Sequence, residues 1–116
     1  CYEVSLGETL GGASQQQIEM LLENILKYIP VEQLAGHFHD TKEFALENIK
    51  VALDYGLRTF DASVGGLGGC PYAPGASGNV ATEVVVKLLK ELGYRTKLDE
   101  ESINSVALFA KSLIGK

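Results

Sequence analysis

The feature that most constrains this chain is an alternation. Three short extended-type segments are each followed by a stretch whose apolar residues recur at three- and four-residue steps. A repeat of two marks strands and one near 3.6 marks helices. Tyr2-Glu3-Val4-Ser5-Leu6, Leu34 to His39 and Leu57 to Val64 read as the strands. The first helix opens at Ser14, placed three residues before Gln17 at the spacing of a capping box. Ile18, Leu21, Leu22, Ile25, Leu26 and Ile29 form its apolar stripe, and Pro30 ends it. The second helix is expected to bury Ala45, Asn48, Ile49, Ala52 and Leu53 and to close at Gly56. A third starts near Val80 and carries Val84, Val85, Leu88, Leu89 and Leu92 to a stop at Gly93. The last starts near Asp99 and carries Ile103, Val106, Ala107, Ala110 and Leu113.

Alternating strands and helices give an α/β fold with parallel connections. A unit takes about 30 residues, so 116 residues hold three units and a terminal helix. A doubly wound sheet and part of a TIM barrel both fit. Both place ligands at the carboxyl ends of the strands. Glu8, Thr9, His37, His39, Asp40 and Cys70 all lie at or after such ends. The length suits one domain, and an apolar content of 46% suffices for a core. No apolar run reaches the 18 or so residues of a spanning helix. A net charge of −5 with no basic stripe points away from nucleic acid and from a membrane surface. The two cysteines, Cys1 and Cys70, read as free thiols in a reducing compartment rather than as a disulfide scaffold. The chain begins inside a strand without Met or a targeting segment, and so reads as a piece of a longer protein.

The stretch from Ser63 to Glu83, SVGGLGGCPYAPGASGNVATE, sets six glycines around Cys70. Connections beyond about 12 residues are usually functional or disordered, and Leu67, Tyr72 and Val80 favour order here. Glycine permits positive φ and close backbone approach to a ligand. The run lacks the Lys-Ser/Thr of a phosphate loop, and its glycine spacing misses the dinucleotide fingerprint. A cysteine thiol, with a pKa of about 8.5, is mostly protonated at neutral pH. Cys70 can therefore serve as acid, base or nucleophile, or be inert, and its glycine setting favours function. His37 and His39, two apart on a strand, project to one face. That suits two nitrogen ligands to one divalent metal, with Asp40 beside them as ligand or supporting partner. Two merely hydrogen-bonded histidines are the bland alternative. Asn79 reads first as a helix N-cap and second as an amide-oxygen ligand for a hard cation. Glu8 and Asp61 offer carboxylates near strand ends, although an exposed or structural role is commoner for such acids.

The run from Gly66 to Tyr72 carries a resemblance. SVGGLGGCPYAPGASGNVATE closely resembles the signature loop of 3-hydroxy-3-methylglutaryl-CoA (HMG-CoA) lyases. HFHDT and CYEVSLGET are similar to that family's matching segments, in the same order and at similar spacing. The likeness covers nearly the whole chain and is weakest after Lys97. The cysteine loop is specific to the lyases. The HxHD strand is shared with isopropylmalate, homocitrate and related synthases of the same TIM-barrel metallolyase superfamily.

The resemblance implies a (β/α)8 barrel of which this chain is the C-terminal part, three βα units plus a terminal helix. It implies cleavage of HMG-CoA to acetoacetate and acetyl-CoA with Mg2+ or Mn2+, in a parent enzyme that is a homo-oligomer. The setting would be leucine degradation or ketone-body metabolism, cytoplasmic in a bacterium and in the mitochondrial matrix in a eukaryote. By matching motif His37, His39 and Asn79 become metal ligands, which displaces the capping reading of Asn79. Cys70 becomes the catalytic thiol on a mobile loop, His37 its partner in proton transfer, and Glu8 and Thr9 substrate-binding residues. Glu8 stands where the family usually has Asp, and GGASQQQ departs from the family's usual loop. The Arg, Asp and Glu of the family's first two strands have no counterpart here, so the chain alone is expected to be inactive. A Claisen-type acyltransferase and a non-catalytic α/β domain are the other readings. The cysteine loop argues against the first, and retained metal affinity would argue against the second.

Overall fold

The computed structural model describes residues 2–8, 13–40, 44–68 and 78–114. In chain order these form β1 (Val4–Glu8), α1 (Gln15–Ile25), β2 (Leu34–Phe38), α2 (Ala45–Asp54), β3 (Thr59–Asp61), α3 (Thr82–Glu91) and α4 (Glu100–Ile114). Short 3-10 turns at Val31–Gln33 and Val64–Gly66 precede β2 and follow β3. The strands lie in the order β1-β2-β3, and both pairings are parallel. The expected α/β alternation with parallel connections is therefore present.

Local chemistry explains where the helices start and stop. Ser14 Oγ accepts from the Gln17 backbone N–H at 3.3 Å while Gln17 Oε1 accepts from the Ser14 N–H at 2.8 Å, completing the capping box. After α2, Gly56 adopts φ +99, its N–H reaches Leu53 O, and Leu57 N–H reaches Ala52 O. After α3, Gly93 adopts φ +88 with the same pair of bonds, from Gly93 to Lys90 and from Tyr94 to Leu89. Both ends are Schellman motifs, which need a residue content with positive φ. Asn48, buried in α2, donates to Ala13 O at 3.0 Å and so ties α2 to the entry of α1.

The register divides the sheet into two faces. Val4, Leu6, Leu34, Phe38 and Phe60 share one face and join a core with Ile18, Leu22, Ile49 and Leu53 from the helices. Ser5, His37 and Asp61 share the other. Gly36 lies on the core face, where a Cβ would stand 2.8 Å from Phe38 Cε2 and 3.0 Å from Phe60 Cδ1. Two aromatic rings close over this position because it carries no side chain.

Several boundaries differ from expectation. Tyr2 is exposed and outside the sheet, and β1 runs two residues later than its alternation suggests, because Val4 pairs with Leu34. β2 stops at Phe38, with His39 in an isolated bridge to Asn79. β3 ends at Asp61 rather than Val64, since Gly65 and Gly66, both at φ +71, turn the chain. Leu21 stays exposed on the shoulder of α1. α3 buries Val85 and Val86 but not Val84 or Leu92, and α4 buries Ala107 while Val106 and Leu113 are exposed. α4 rests on the Val64–Gly66 turn and on α3. Contacts along one side cover less than the wide apolar stripe the sequence carries. Among the described residues no helix is long and apolar enough to cross a membrane.

The two glycines invite a direct stability comparison. Gly36→Ala in the intact gene product is expected to cost about 1–3 kcal/mol by overpacking against the rings. Gly93→Ala meets nothing within 4 Å and is expected to cost only the left-handed conformation, about 1–2 kcal/mol. Urea unfolding measures both, and a neutral Gly36→Ala would contradict the packing described.

Candidate metal centre

Alternation along β2 and its continuation puts the two imidazoles on one face, with ring centroids 5.6 Å apart and planes inclined by 46°. His37 is half-buried and His39 is 7% exposed. His37 Nδ1 lies 3.1 Å from Asp61 Oδ2, and His39 Nδ1 lies 3.3 Å from the Glu8 carbonyl oxygen. An ionised carboxylate and a carbonyl only accept hydrogen bonds, so both Nδ1 atoms carry the hydrogen. In each neutral ring the lone pair is then on Nε2. Metal-binding histidines are commonly oriented in this way, through the nitrogen that is not a ligand.

Asn79 is brought to the histidines by a backbone crossing. The segment from Gly78 to Ala81 lies across the ends of β2 and β3: Val80 N–H donates to Phe38 O, Ser63 N–H to Val80 O, and Asp40 N–H to Gly78 O. Asn79 pairs with His39 in an antiparallel bridge. Its backbone N–H and its Nδ2 both donate to Leu67 O, at 3.2 and 3.1 Å. That fixes the amide orientation, because the flipped amide would set its oxygen against a carbonyl. Asn79 Oδ1 is left buried without a hydrogen-bond partner among the described residues. Asn79 is not the cap of α3, whose N-cap position is Ala81.

The glycines of the loop serve this crossing. A Cβ at Gly78 would overlap the Gly66 carbonyl and the Leu67 backbone, and one at Gly68 would stand 3.0 Å from Asn79 Nδ2. Glu83, which the sequence reading passed over, accepts from the Gly65 N–H at 3.0 Å and pairs with Lys111 Nζ of α4 at 3.8 Å. Its signal, an acid at the second position of α3, is indistinguishable in sequence from an ordinary first-turn acid.

The other expected residues are placed as follows. Asp40 Oδ1 accepts from Ala45 N–H at 3.3 Å, so one carboxylate oxygen is engaged at the start of α2. The Glu8 side chain lies on the core side of the sheet, lining a cavity of about 180 Å3 with Leu6, Ile18, Leu22 and Phe38, and its Oε2 is buried without a partner among the described residues. It is thus apart from the imidazoles, although its backbone oxygen holds one of them. Cys1, Thr9 and Cys70 lie outside the described residues. Asp61, one of two acids noted near strand ends, is joined to the histidine face, and Ser5 Oγ donates to the same Oδ2 at 3.0 Å.

Two imidazole nitrogens and a buried, unpartnered amide oxygen fit a hard divalent cation that tolerates nitrogen. The orphaned Asn79 Oδ1 is the telling atom, since a buried acceptor left empty costs about 1–3 kcal/mol. Among the described residues no three His, Cys, Asp or Glu side chains converge, so further ligands for a cation held here would be water, substrate or groups outside those residues.

Comparison with known proteins finds relatives over nearly the whole chain. The hydroxymethylglutaryl-CoA lyase of Pseudomonas mevalonii is 50% identical over 115 residues, covering 99% of this chain and 38% of that protein. The crystal structure of the HMG-CoA lyase from Brucella melitensis superposes with a TM-score of 0.96 at 51% identity, covering 100% of this chain and 41% of that one. An HMG-CoA lyase from Acinetobacter baumannii, solved in complex with coenzyme A and 3-methylmalate, aligns at a TM-score of 0.90 and 39% identity over 98% of this chain and 37% of that one. The chain therefore spans about two fifths of the length of these relatives, and its fold matches the C-terminal part of their TIM barrels. Relatives include bacterial, mitochondrial and cytoplasmic forms. With the family model described as HMGL-like matching residues 1–109, the chain belongs to the HMGL-like family.

Proposed function

We propose that the protein carrying this chain is a divalent-metal-dependent lyase that cleaves HMG-CoA to acetoacetate and acetyl-CoA. The observation that carries this reading is the convergence of His37, His39 and the unpartnered Asn79 Oδ1 at the strand ends, in a chain of the HMGL-like family. The Acinetobacter baumannii relative was solved with coenzyme A, which supports an acyl-CoA substrate. The loop GGCPYAPGASGN favours cleavage over the condensation run by related acyltransferases.

In this reading His37 Nε2, His39 Nε2 and Asn79 Oδ1 would hold Mg2+ or Mn2+. When bound, such an ion stabilises negative charge on substrate oxygens and orients the bond to be broken. The remaining work falls to the chain. A base removes the proton of the tertiary hydroxyl, the carbon–carbon bond to the thioester methylene breaks, and its electron pair becomes the acetyl-CoA enolate. A neutral thiol suits the last step, so Cys70 Sγ–H gives its proton to that carbon. With Nδ1 on Asp61, His37 would have no nitrogen free to take the hydroxyl proton if its Nε2 held the ion. Its role is then to hold and orient, and the base is another group. Thr9, next in sequence after β1, would bound the substrate from that side, while the Glu8 side chain lies on the core side of the sheet and contributes its backbone oxygen to His39.

Acetoacetate release from HMG-CoA tests the reading. In the intact gene product, removing divalent metal with EDTA is expected to abolish turnover, and Mg2+ or Mn2+ to restore it. The 116 residues alone, offering three protein ligands to an ion that prefers six, are expected to show none. Cleavage indifferent to EDTA would contradict the metal role.

Cys70→Ala is expected to lower kcat by about 10²–10⁴-fold, the range for loss of a positioned acid, with KM changed little. Unaltered kcat would remove Cys70 from the mechanism.

A further inference from the structure

We propose that Asp61 is the positioning residue for His37, with Ser5 holding the carboxylate in place, so that a relay across all three strands sets which imidazole nitrogen faces a cation. The inference rests on the metal reading above and adds residues to it. Three observations carry it. Asp61 Oδ2 accepts from both His37 Nδ1 at 3.1 Å and Ser5 Oγ at 3.0 Å. The three residues come from β3, β2 and β1, so a single carboxylate oxygen on β3 gathers a donor from each of the other two strands. The register pairs Asp61 with His37, and it places Ala35 between Ser5 and Thr59 in the next row. A methyl group at that central position leaves the path from Ser5 to Asp61 open, where a larger side chain on the same face would block it.

Burial argues against a stabilising purpose. Within these 116 residues the side chains of His37 and Asp61 are 35% and 48% exposed, and a pair so exposed adds little to the folding of this segment. What the contact does fix is the tautomer. With Nδ1–H directed at Asp61, the lone pair is left on Nε2 of a ring whose centroid lies 5.6 Å from that of His39, itself bridged to Asn79. Without Asp61, an isolated imidazole prefers no such orientation, and part of the population would carry its hydrogen on Nε2, unable to bind an ion there. His39 has its own anchor in the Glu8 carbonyl. That backbone anchor cannot be removed by substitution at residue 8, whereas the anchor of His37 is a side chain. The inference therefore concerns the one histidine whose orientation a point mutation can release.

The test uses the intact gene product and two independent readouts. In the metal-free protein, nitrogen NMR of His37 is expected to show the Nδ1–H tautomer, and Asp61→Ala to convert much of it to Nε2–H. In Mn2+ titrations followed by electron paramagnetic resonance, Asp61→Ala and Asp61→Asn are expected to weaken binding by about 10–100-fold, the cost usual for losing such a supporting partner. Ser5→Ala, which keeps the carboxylate, is expected to weaken it only a few-fold. Unchanged melting temperatures separate this from loss of fold, and Ser5→Ala serves if an Asp61 variant does not fold. Wild-type affinity with an unshifted tautomer in the variants would overturn the positioning role. A wild-type protein that shows the Nδ1–H tautomer yet binds no Mn2+ would instead overturn the metal reading and leave the orientation by Asp61 standing.

Discussion

Everything at the strand ends depends on one backbone crossing. Val80 donates its N–H to Phe38 O and accepts from the Ser63 N–H through its own carbonyl, so residues 78–81 close across β2 and β3. Without those two bonds Asn79 has no reason to lie beside His39. Val80 is itself 1% exposed and packs in the core, which anchors the crossing from below by burial as well as by hydrogen bonding. The polar atoms above it are consequently held by the most buried part of the sheet. A long glycine-rich connection could otherwise return at any angle. Here its two ends are fixed against each other where Gly78 meets the backbone of Gly66 and Leu67, too closely for a Cβ at position 78.

This division of labour separates the residues that hold from those that would react. The sheet supplies orientation: the Glu8 carbonyl holds one imidazole, the Asp61 carboxylate the other, and the Leu67 carbonyl the amide of Asn79. Each holder is an acceptor, and each thereby frees the opposite, lone-pair-bearing atom of its partner. Three unrelated hydrogen bonds thus leave an electron-pair donor free on each of three neighbouring side chains. The proposed cation would draw on those three atoms. The orphaned Asn79 Oδ1 is one of them, whereas the orphaned Glu8 Oε2 lies on the core side of the sheet, in an apolar cavity.

Much of this was legible in the residues because it is local. The Ser14 capping box, the glycines after α2 and α3, and the same-face placement of His37 and His39 depend on neighbours a few positions away. What depended on distant pairing was not legible. β1 begins at Val4 because Leu34 is its partner, a fact no alternation within residues 2–6 contains. From the residues alone Asn79 looked like a cap, and only the family resemblance made it a ligand, since nothing in the sequence shows a crossing that moves the start of α3 to Thr82. Ser5 carried no signal at all, as its meaning arises from a carboxylate 56 residues away. The stripe of α4 was read for burial, yet a helix meeting only α3 and a turn covers one edge of it.

The central claim is that His37, His39 and Asn79 present their free atoms to one divalent cation. Anomalous diffraction from crystals of the intact gene product grown with Mn2+ tests it most directly. The expected result is a single manganese peak bound by His37 Nε2, His39 Nε2 and Asn79 Oδ1 at about 2.0–2.2 Å. A peak elsewhere, or an imidazole bound through Nδ1 with its contact to Asp61 or Glu8 broken, would contradict it.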